Sequence, residues 1–91
     1  MNNKVRKTLD GITEQIEALK ESMEGIKESL ETIQNDEQEK YDSMPESFQS
    51  GEKGDTMTEA IDNLSNAVSN IDDAVNSLDS AVSDIDSAKG E

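Results

Sequence analysis

The sequence predicts an all-α fold, a long antiparallel two-helix coiled-coil hairpin that self-associates into a four-helix bundle. In both halves of the chain, apolar residues recur with alternating spacings of four and three residues. The segment between the two halves contains the only proline. Hydrophobic residues make up 31% of the chain and aromatic residues 2%, which is too little for a layered globular core. We therefore treat residues 1–91 as a single helical-hairpin domain.

The first pattern predicts a helix over about residues 3–42. Its apolar residues alternate between positions a and d of a heptad, the positions with which coiled-coil helices contact a partner. Position a holds Leu9, Ile16, Met23 and Leu30, and position d holds Val5, Ile12, Leu19, Ile26 and Ile33. The helix should end before Pro45, because a proline disfavours helical geometry at the residue that precedes it.

The second pattern predicts a helix over about residues 56–89. Position a holds Ile61, Val68, Val75 and Val82, and position d holds Met57, Leu64, Ile71, Leu78 and Ile85. Thr56 and Glu59 match a capping box at its start, and Gly90 suits its end. The linker is then 43–55, with room for a short helical turn after Pro45 and with 51–54 as a loop.

Antiparallel pairing of the two heptads sets a register. When a layers are aligned with d layers, Ile33 lies beside Ile61. At position e, this register places Lys20 near Asp72 and Arg6 near Asp86. Exposed ion pairs contribute only about 0.2–1 kcal/mol each, so we expect them to select the register rather than to hold the fold.

Small residues follow one side of the predicted hairpin and form a candidate oligomer face. Each glycine inside a helix costs about 1 kcal/mol, a cost that close approach of another backbone would offset. The other interpretation is that the small residues only lie at the surface. We favour self-association, most simply as a dimer. The face consists of Gly11, Ala18, Gly25, Ala60, Ala67, Ala74, Ala81 and Ala88.

Acidic residues occupy positions b and f of the first helix, opposite its apolar positions. They extend over about 30 Å of helix. One interpretation is a solvated helix face, since b and f are normally charged. The other is an imitation of a nucleic-acid phosphate strand that binds the basic groove of another protein. We call these residues the acidic stripe: Asp10, Glu14, Glu17, Glu21, Glu24, Glu28 and Glu31.

The only aromatic residues of the chain are Tyr41, at the end of the first helix, and Phe48, in the linker, with Met44 and Pro45 between them. They either cap the open end of the apolar seam or form an apolar knob that contacts a partner. We favour the cap.

Composition excludes several classes of function. The chain has no histidine and no cysteine, and its serines lack a neighbouring base, so we expect no enzyme, no cofactor and no metal site. No apolar run approaches the ~18 residues of a membrane span, and the basic N-terminal residues are not followed by the apolar segment of a secretory signal. We expect a cytoplasmic protein. A net charge of -14 also opposes direct binding of nucleic acid or of an anionic membrane.

The linker sequence from Glu37 to Gly54, followed by heptads with alanine at g, resembles small acidic phage and prophage proteins. In that group an MPE-type linker joins two heptad helices, and the function is unassigned. Met44, Pro45 and Glu46 match the motif, whereas Ser50–Gly54 departs from its second half by one residue. The resemblance implies a phage gene expressed in a bacterial cytoplasm.

These observations favour a non-enzymatic, acidic interaction protein that binds and inhibits a host nucleic-acid-handling or defence protein. A purely structural or assembly bundle is the alternative. A second alternative is an oligomeric sponge for a small nucleotide ligand, for which only Lys4, Arg6 and Lys7 could supply a basic pocket.

Overall fold

A computed structural model of the chain describes all residues from Met1 to Glu91. Three helices follow one another: α1 (Asn3–Asp42), α2 (Glu46–Gln49) and α3 (Glu52–Lys89). The two long helices pack against each other along their length and form a rod 68 Å long. The molecule contains no strand. The all-α helical hairpin predicted from the heptads is therefore confirmed.

Helix α1 covers the expected range. At its start, the side chain of Asn2 accepts a hydrogen bond of 2.9 Å from the backbone N–H of Val5, which satisfies one of the N–H groups left free in the first turn. At its end, the Ser43 N–H donates to the carbonyl of Glu39 at 3.1 Å. The helix stops there because Met44 precedes Pro45 and so avoids helical geometry.

Helix α3 begins at Glu52, earlier than the sequence predicts. The expected loop 51–54 is wrong, because 52–54 already belong to the helix. The hydroxyl of Thr56 donates to the carbonyl of Glu52 and so does not cap the helix start. The Asp55 N–H instead donates to the carbonyl of Gly51 at 3.0 Å. Carboxylates at 52 and 55 favour this start, since they lie at the positive end of the helix dipole.

The connection between the long helices is a compact junction. The amide Nε2 of Gln49, the last residue of α2, donates to the carbonyl of Tyr41 near the end of α1 at 2.8 Å. Gly54, in the first turn of α3, is buried against the backbone of Gln49. The junction therefore joins all three helices through three residues.

Ion pairs show that α1 and α3 are antiparallel but displaced from the expected register. Lys27 pairs with Asp72 at 2.9 Å, and Lys20 pairs with Asp79. The expected pair of Lys20 with Asp72 is thus wrong by one heptad. Arg6 does not pair with Asp86 but donates to the backbone carbonyl of Lys89 at 3.1 Å. The junction explains the displacement, because α2 packs against the early turns of α3 and more chain separates the facing residues.

Helix α1 is also rotated about its axis relative to the prediction. Apart from Gly11 and Glu31, its half-buried residues lie at positions a and e rather than at a and d. The whole d row is exposed, with 40–53% of each residue accessible: Val5, Ile12, Leu19, Ile26 and Ile33. The expectation that this row fills the seam is wrong for α1. The rotation turns Lys20 and Lys27 towards α3, where their aliphatic stems pack and their ammonium groups reach carboxylates.

Candidate interaction surfaces

The acidic stripe lies on the outer surface of α1. Six of its seven carboxylate residues are exposed, and Glu31 is half-buried. Because residues at b and f of a helix turn away from the a/e face that contacts α3, the stripe follows the rod from near its open end almost to the junction. Position in the heptad and exposure therefore agree for every residue of the stripe except Glu31.

Ion pairing distinguishes three of the four b residues of the acidic stripe from its f residues, and the fourth b residue, Glu31, forms no ion pair. At position b, Glu17 pairs with Lys20 at 3.4 Å and Glu24 with Lys27 at 3.8 Å, while Asp10 pairs with Lys89. The f row forms no ion pair and remains an uncompensated line of charge. It consists of Glu14, Glu21 and Glu28.

Three lysines connect the two long helices on the acidic side of the hairpin. The hydrogen bond to Asp79 raises the pKa of Lys20, and the hydrogen bond to Asp72 raises the pKa of Lys27. The pKa of Lys89 is raised in the same way by its hydrogen bond to Asp10. In each case partial desolvation opposes the shift without cancelling it. These lysines thus link the two long helices along one flank of the rod.

Of the candidate oligomer face, the alanine row at position g of α3 lies on the other flank, whereas Gly11, Ala18 and Gly25 lie at position c, on the side of α1 that points away from α3. In a heptad, g lies on the opposite side of the a/d seam from e, so the e-to-e ion pairs put the alanine row of α3 beside the exposed d row of α1. A Cβ atom added at Gly11 or Gly25 would meet no other atom within 4 Å. No part of the chain itself therefore requires glycine at these positions. Ala67, Ala74 and Ala81 are half-buried, whereas Ala18, Ala60 and Ala88 are exposed.

The aromatic and apolar residues at the end of α1 and in the linker differ in their exposure. Tyr41 and Met44 are half-buried at the end of α1. Phe48 is 56% exposed, and Pro45 is exposed as well. A shallow depression of about 590 Å³ opens beside them. Its lining is Asp36, Glu39, Lys40, Ser43, Met44 and Pro45.

One of the three basic N-terminal residues, Arg6, connects the two long helices at the open end of the hairpin. Besides its bond to Lys89, the guanidinium of Arg6 donates through Nη2 to the carbonyl of Glu91 at 3.2 Å. These bonds tie the start of α1 to the end of α3. Lys4 and Lys7 are exposed and form no ion pair. No cluster of three or more acidic side chains has the geometry of a metal site.

Sequence reasoning missed two features of these surfaces. The exposure of the d row depends on the rotation of α1, which the apolar pattern alone does not determine. The junction depends on Gln49 and Gly54, neither of which belongs to a heptad. The sequence does contain one signal that the d row is exposed beside an uncharged surface. The face formed by positions c, d and g of α1 carries no charge between Thr8 and Ile33.

Comparison of the chain with protein-family models, with curated proteins and with solved structures gives no match. None of the three helices contains an apolar stretch of the length that a membrane crossing requires.

Proposed function

We propose that this chain is a non-enzymatic, acidic interaction protein that binds a basic surface of another protein and competes there with nucleic acid. The observation that supports the proposal most directly is the f row of the acidic stripe. Its three carboxylates are exposed and unpaired, although cations elsewhere on the rod do pair with acids. A net charge of -14 is also well above the magnitude of about 2–8 that keeps a small domain soluble.

The geometry of the stripe suits an extended basic groove. Members of the f row are seven residues apart, or about 10.5 Å along the helix. With the b row included, one carboxylate occurs about every 5 Å over about 30 Å. A nucleic-acid strand carries one phosphate about every 3.4 Å, so the stripe is a sparser linear array of carboxylates, of which Asp10, Glu17 and Glu24 are paired with lysines. It is held on a helix and needs little ordering when it binds.

The resemblance of the linker to phage proteins suggests the class of partner. A phage-encoded protein of this kind would act in the bacterial host cytoplasm, on a nucleic-acid-handling or defence protein. Such proteins present the basic grooves that a line of carboxylates complements. The proposed effect is inhibition by occupation of the groove.

A matched pair of triple variants tests the proposal. Glu14→Gln, Glu21→Gln and Glu28→Gln neutralise the f row, and glutamine keeps nearly the same helix propensity. Glu59→Gln, Asp62→Asn and Asp73→Asn remove the same charge from exposed positions of α3. Tagged proteins are used to capture partners from a bacterial lysate at low and high salt, and an oligonucleotide is added as competitor.

We expect the wild type and the α3 variant to retain a salt-sensitive partner that the oligonucleotide displaces, and the f-row variant to lose it. Salt sensitivity follows because exposed charges are screened within about 10 Å at 0.1 M. Capture of the same partner by the f-row variant with unchanged affinity would exclude nucleic-acid imitation.

A second candidate function, an assembly bundle, is favoured by the exposed d row. Only Ile61 and Val75 are buried apolar residues, each 9% exposed, and chains of this size bury little surface alone. Self-association into a dimeric four-helix bundle would supply the missing burial. Ala74→Glu and Gly25→Glu should then abolish the dimer. Sedimentation of a fully helical wild type as a monomer at micromolar concentration would reject the assembly bundle.

A further inference from the structure

We infer that the exposed d row of α1 is the centre of the interface between two copies of this chain, and that it packs on the alanine row of the partner's α3. The inference rests on the dimer proposed above and specifies its contact surface. It assigns Val5, Ile12, Leu19, Ile26 and Ile33 to contacts between chains rather than within one. We call the d row and the adjacent alanine row together the apolar face.

The rod-shaped chain exposes more surface than a compact chain of its mass, and the excess is large enough for a stable interface. A single folded chain of 9.9 kDa is expected to expose roughly 5,200 Å². This chain exposes 6313 Å², an excess of about 1,100 Å². A standard stable interface buries about 800 Å² on each partner. Docking along the apolar face can therefore bring the exposed area back to the ordinary range.

Charge restricts a second copy to this face. Two chains that each carry -14 repel each other wherever carboxylates face one another. On α1 between Thr8 and Ile33, the charged residues lie only at positions b, e and f, whereas the apolar face adjoins the uncharged c and g positions. Docking through this face leaves the acidic stripes pointing outwards, in opposite directions. The surface that copies can share is thus the one that holds no charge.

The shape of the face fixes the arrangement. Bulky side chains follow α1 and methyl groups follow α3, so the best packing places the bulky row of each copy over the small row of the other. A two-fold axis parallel to the rod achieves this for both copies at once.

Disulfide trapping tests this arrangement directly. The chain has no cysteine, so introduced thiols are the only ones present. The pair Lys27–Asp72 places Ile26 and Ala74 at the same level of the rod. We expect a mixture of the Ile26→Cys and Ala74→Cys variants to form mixed disulfide dimers on mild oxidation, and each variant alone to form few.

Analytical ultracentrifugation distinguishes the proposed interface from dimerisation through another surface. Wild type should sediment as a dimer, and Leu19→Gln with Ile26→Gln should weaken dimerisation by roughly a hundredfold or more because two buried apolar side chains per copy are lost. Helicity should persist, since both positions are exposed in the single hairpin. The matched control, Glu21→Gln with Glu28→Gln on the acidic stripe, should remain dimeric.

A wild type that is monomeric would overturn both the dimer and its interface, and the apolar face would then belong to a different partner. A dimer that yields no mixed disulfide, or that resists Leu19→Gln with Ile26→Gln, would overturn the interface alone. Neither result bears on capture by the f row, which is measured separately.

Discussion

Gly54 lies so close to Gln49 that a Cβ atom at position 54 would be 2.7 Å from the Cα atom of Gln49 and nearer still to its carbonyl group. Real side chains do not tolerate this distance, and the obstacle is backbone rather than a movable side chain. The junction of the three helices therefore requires glycine at position 54. In a helix, glycine would otherwise be the less favourable choice.

Gly54→Ala should lower the free energy of unfolding by about 1–3 kcal/mol, the usual cost of forcing extra volume into a packed site. Urea denaturation followed by circular dichroism measures it. Gly25→Ala is the matched control, because position 25 has no neighbour within 4 Å. In dilute, monomeric protein this control should raise stability by up to about 1 kcal/mol. A Gly54→Ala variant as stable as the control would contradict the close contact.

Thr13→Val should stabilise the hairpin. The hydroxyl of Thr13 is buried on the side of α1 that faces α3 and has no hydrogen-bond partner, and an unsatisfied buried polar group costs about 1–3 kcal/mol. Valine has nearly the same shape without the polar atom. Thr8→Val is the control, since the Thr8 hydroxyl is exposed and donates to the Lys4 carbonyl. A thermal melt in which both variants behave alike would refute the prediction.

Alkaline pH should weaken the link between the long helices. The pKa values of Lys20 and Lys27 are raised in the folded chain from the ordinary 10.5, so folding favours their charged forms. Their contribution is therefore complete below pH 10.5 and is lost as the pH rises through the folded values. The stability advantage of wild type over Lys20→Gln with Lys27→Gln should be constant from pH 7 to about 9.5 and shrink above pH 10.5. An advantage that stays constant to pH 12 would rule out these pairs as the cause.

Asn2→Ala should shorten and destabilise the start of α1 by about 0.5–2 kcal/mol, the usual effect of losing an N-cap side chain. The variant removes the acceptor of the Val5 N–H. Asn2→Asp keeps an acceptor at the same place and should behave like wild type. Backbone amide exchange at Val5 is the sensitive measurement, and equal exchange in the two variants would show that the cap is not used.

The heptad pattern was sufficient for the two long helices, because each supplies apolar residues at every turn and Pro45 stops the first. It was insufficient for the rotation of α1. Counting apolar residues assigns Leu19 and Ile26 to the seam, but the neighbouring lysines at 20 and 27 also carry long aliphatic stems and find carboxylates on α3. The predicted register was wrong for a related reason. Aligning a layers with d layers does not take into account how α2 folds back against α3.

The acidic stripe was easier to predict than the apolar face. Charged residues at b and f point outwards even when the helix is rotated slightly about its axis, so Glu14 and Glu21 are exposed in either arrangement. The d row lies at the edge of the contact between helices, where a small rotation decides between burial and exposure. Its residues are therefore the ones for which pattern and structure disagree.

The junction also has a consequence for the order of events in folding. Gln49 reaches Tyr41 across 8 residues of chain, whereas Arg6 reaches Lys89 across 83. The entropy lost on closing a loop grows with its length, so we expect the hairpin to nucleate at the junction and to zip towards the open end. Stopped-flow measurements should then find that Gly54→Ala slows folding, whereas Arg6→Gln mainly accelerates unfolding. The reverse assignment would place the nucleus at the open end of the rod.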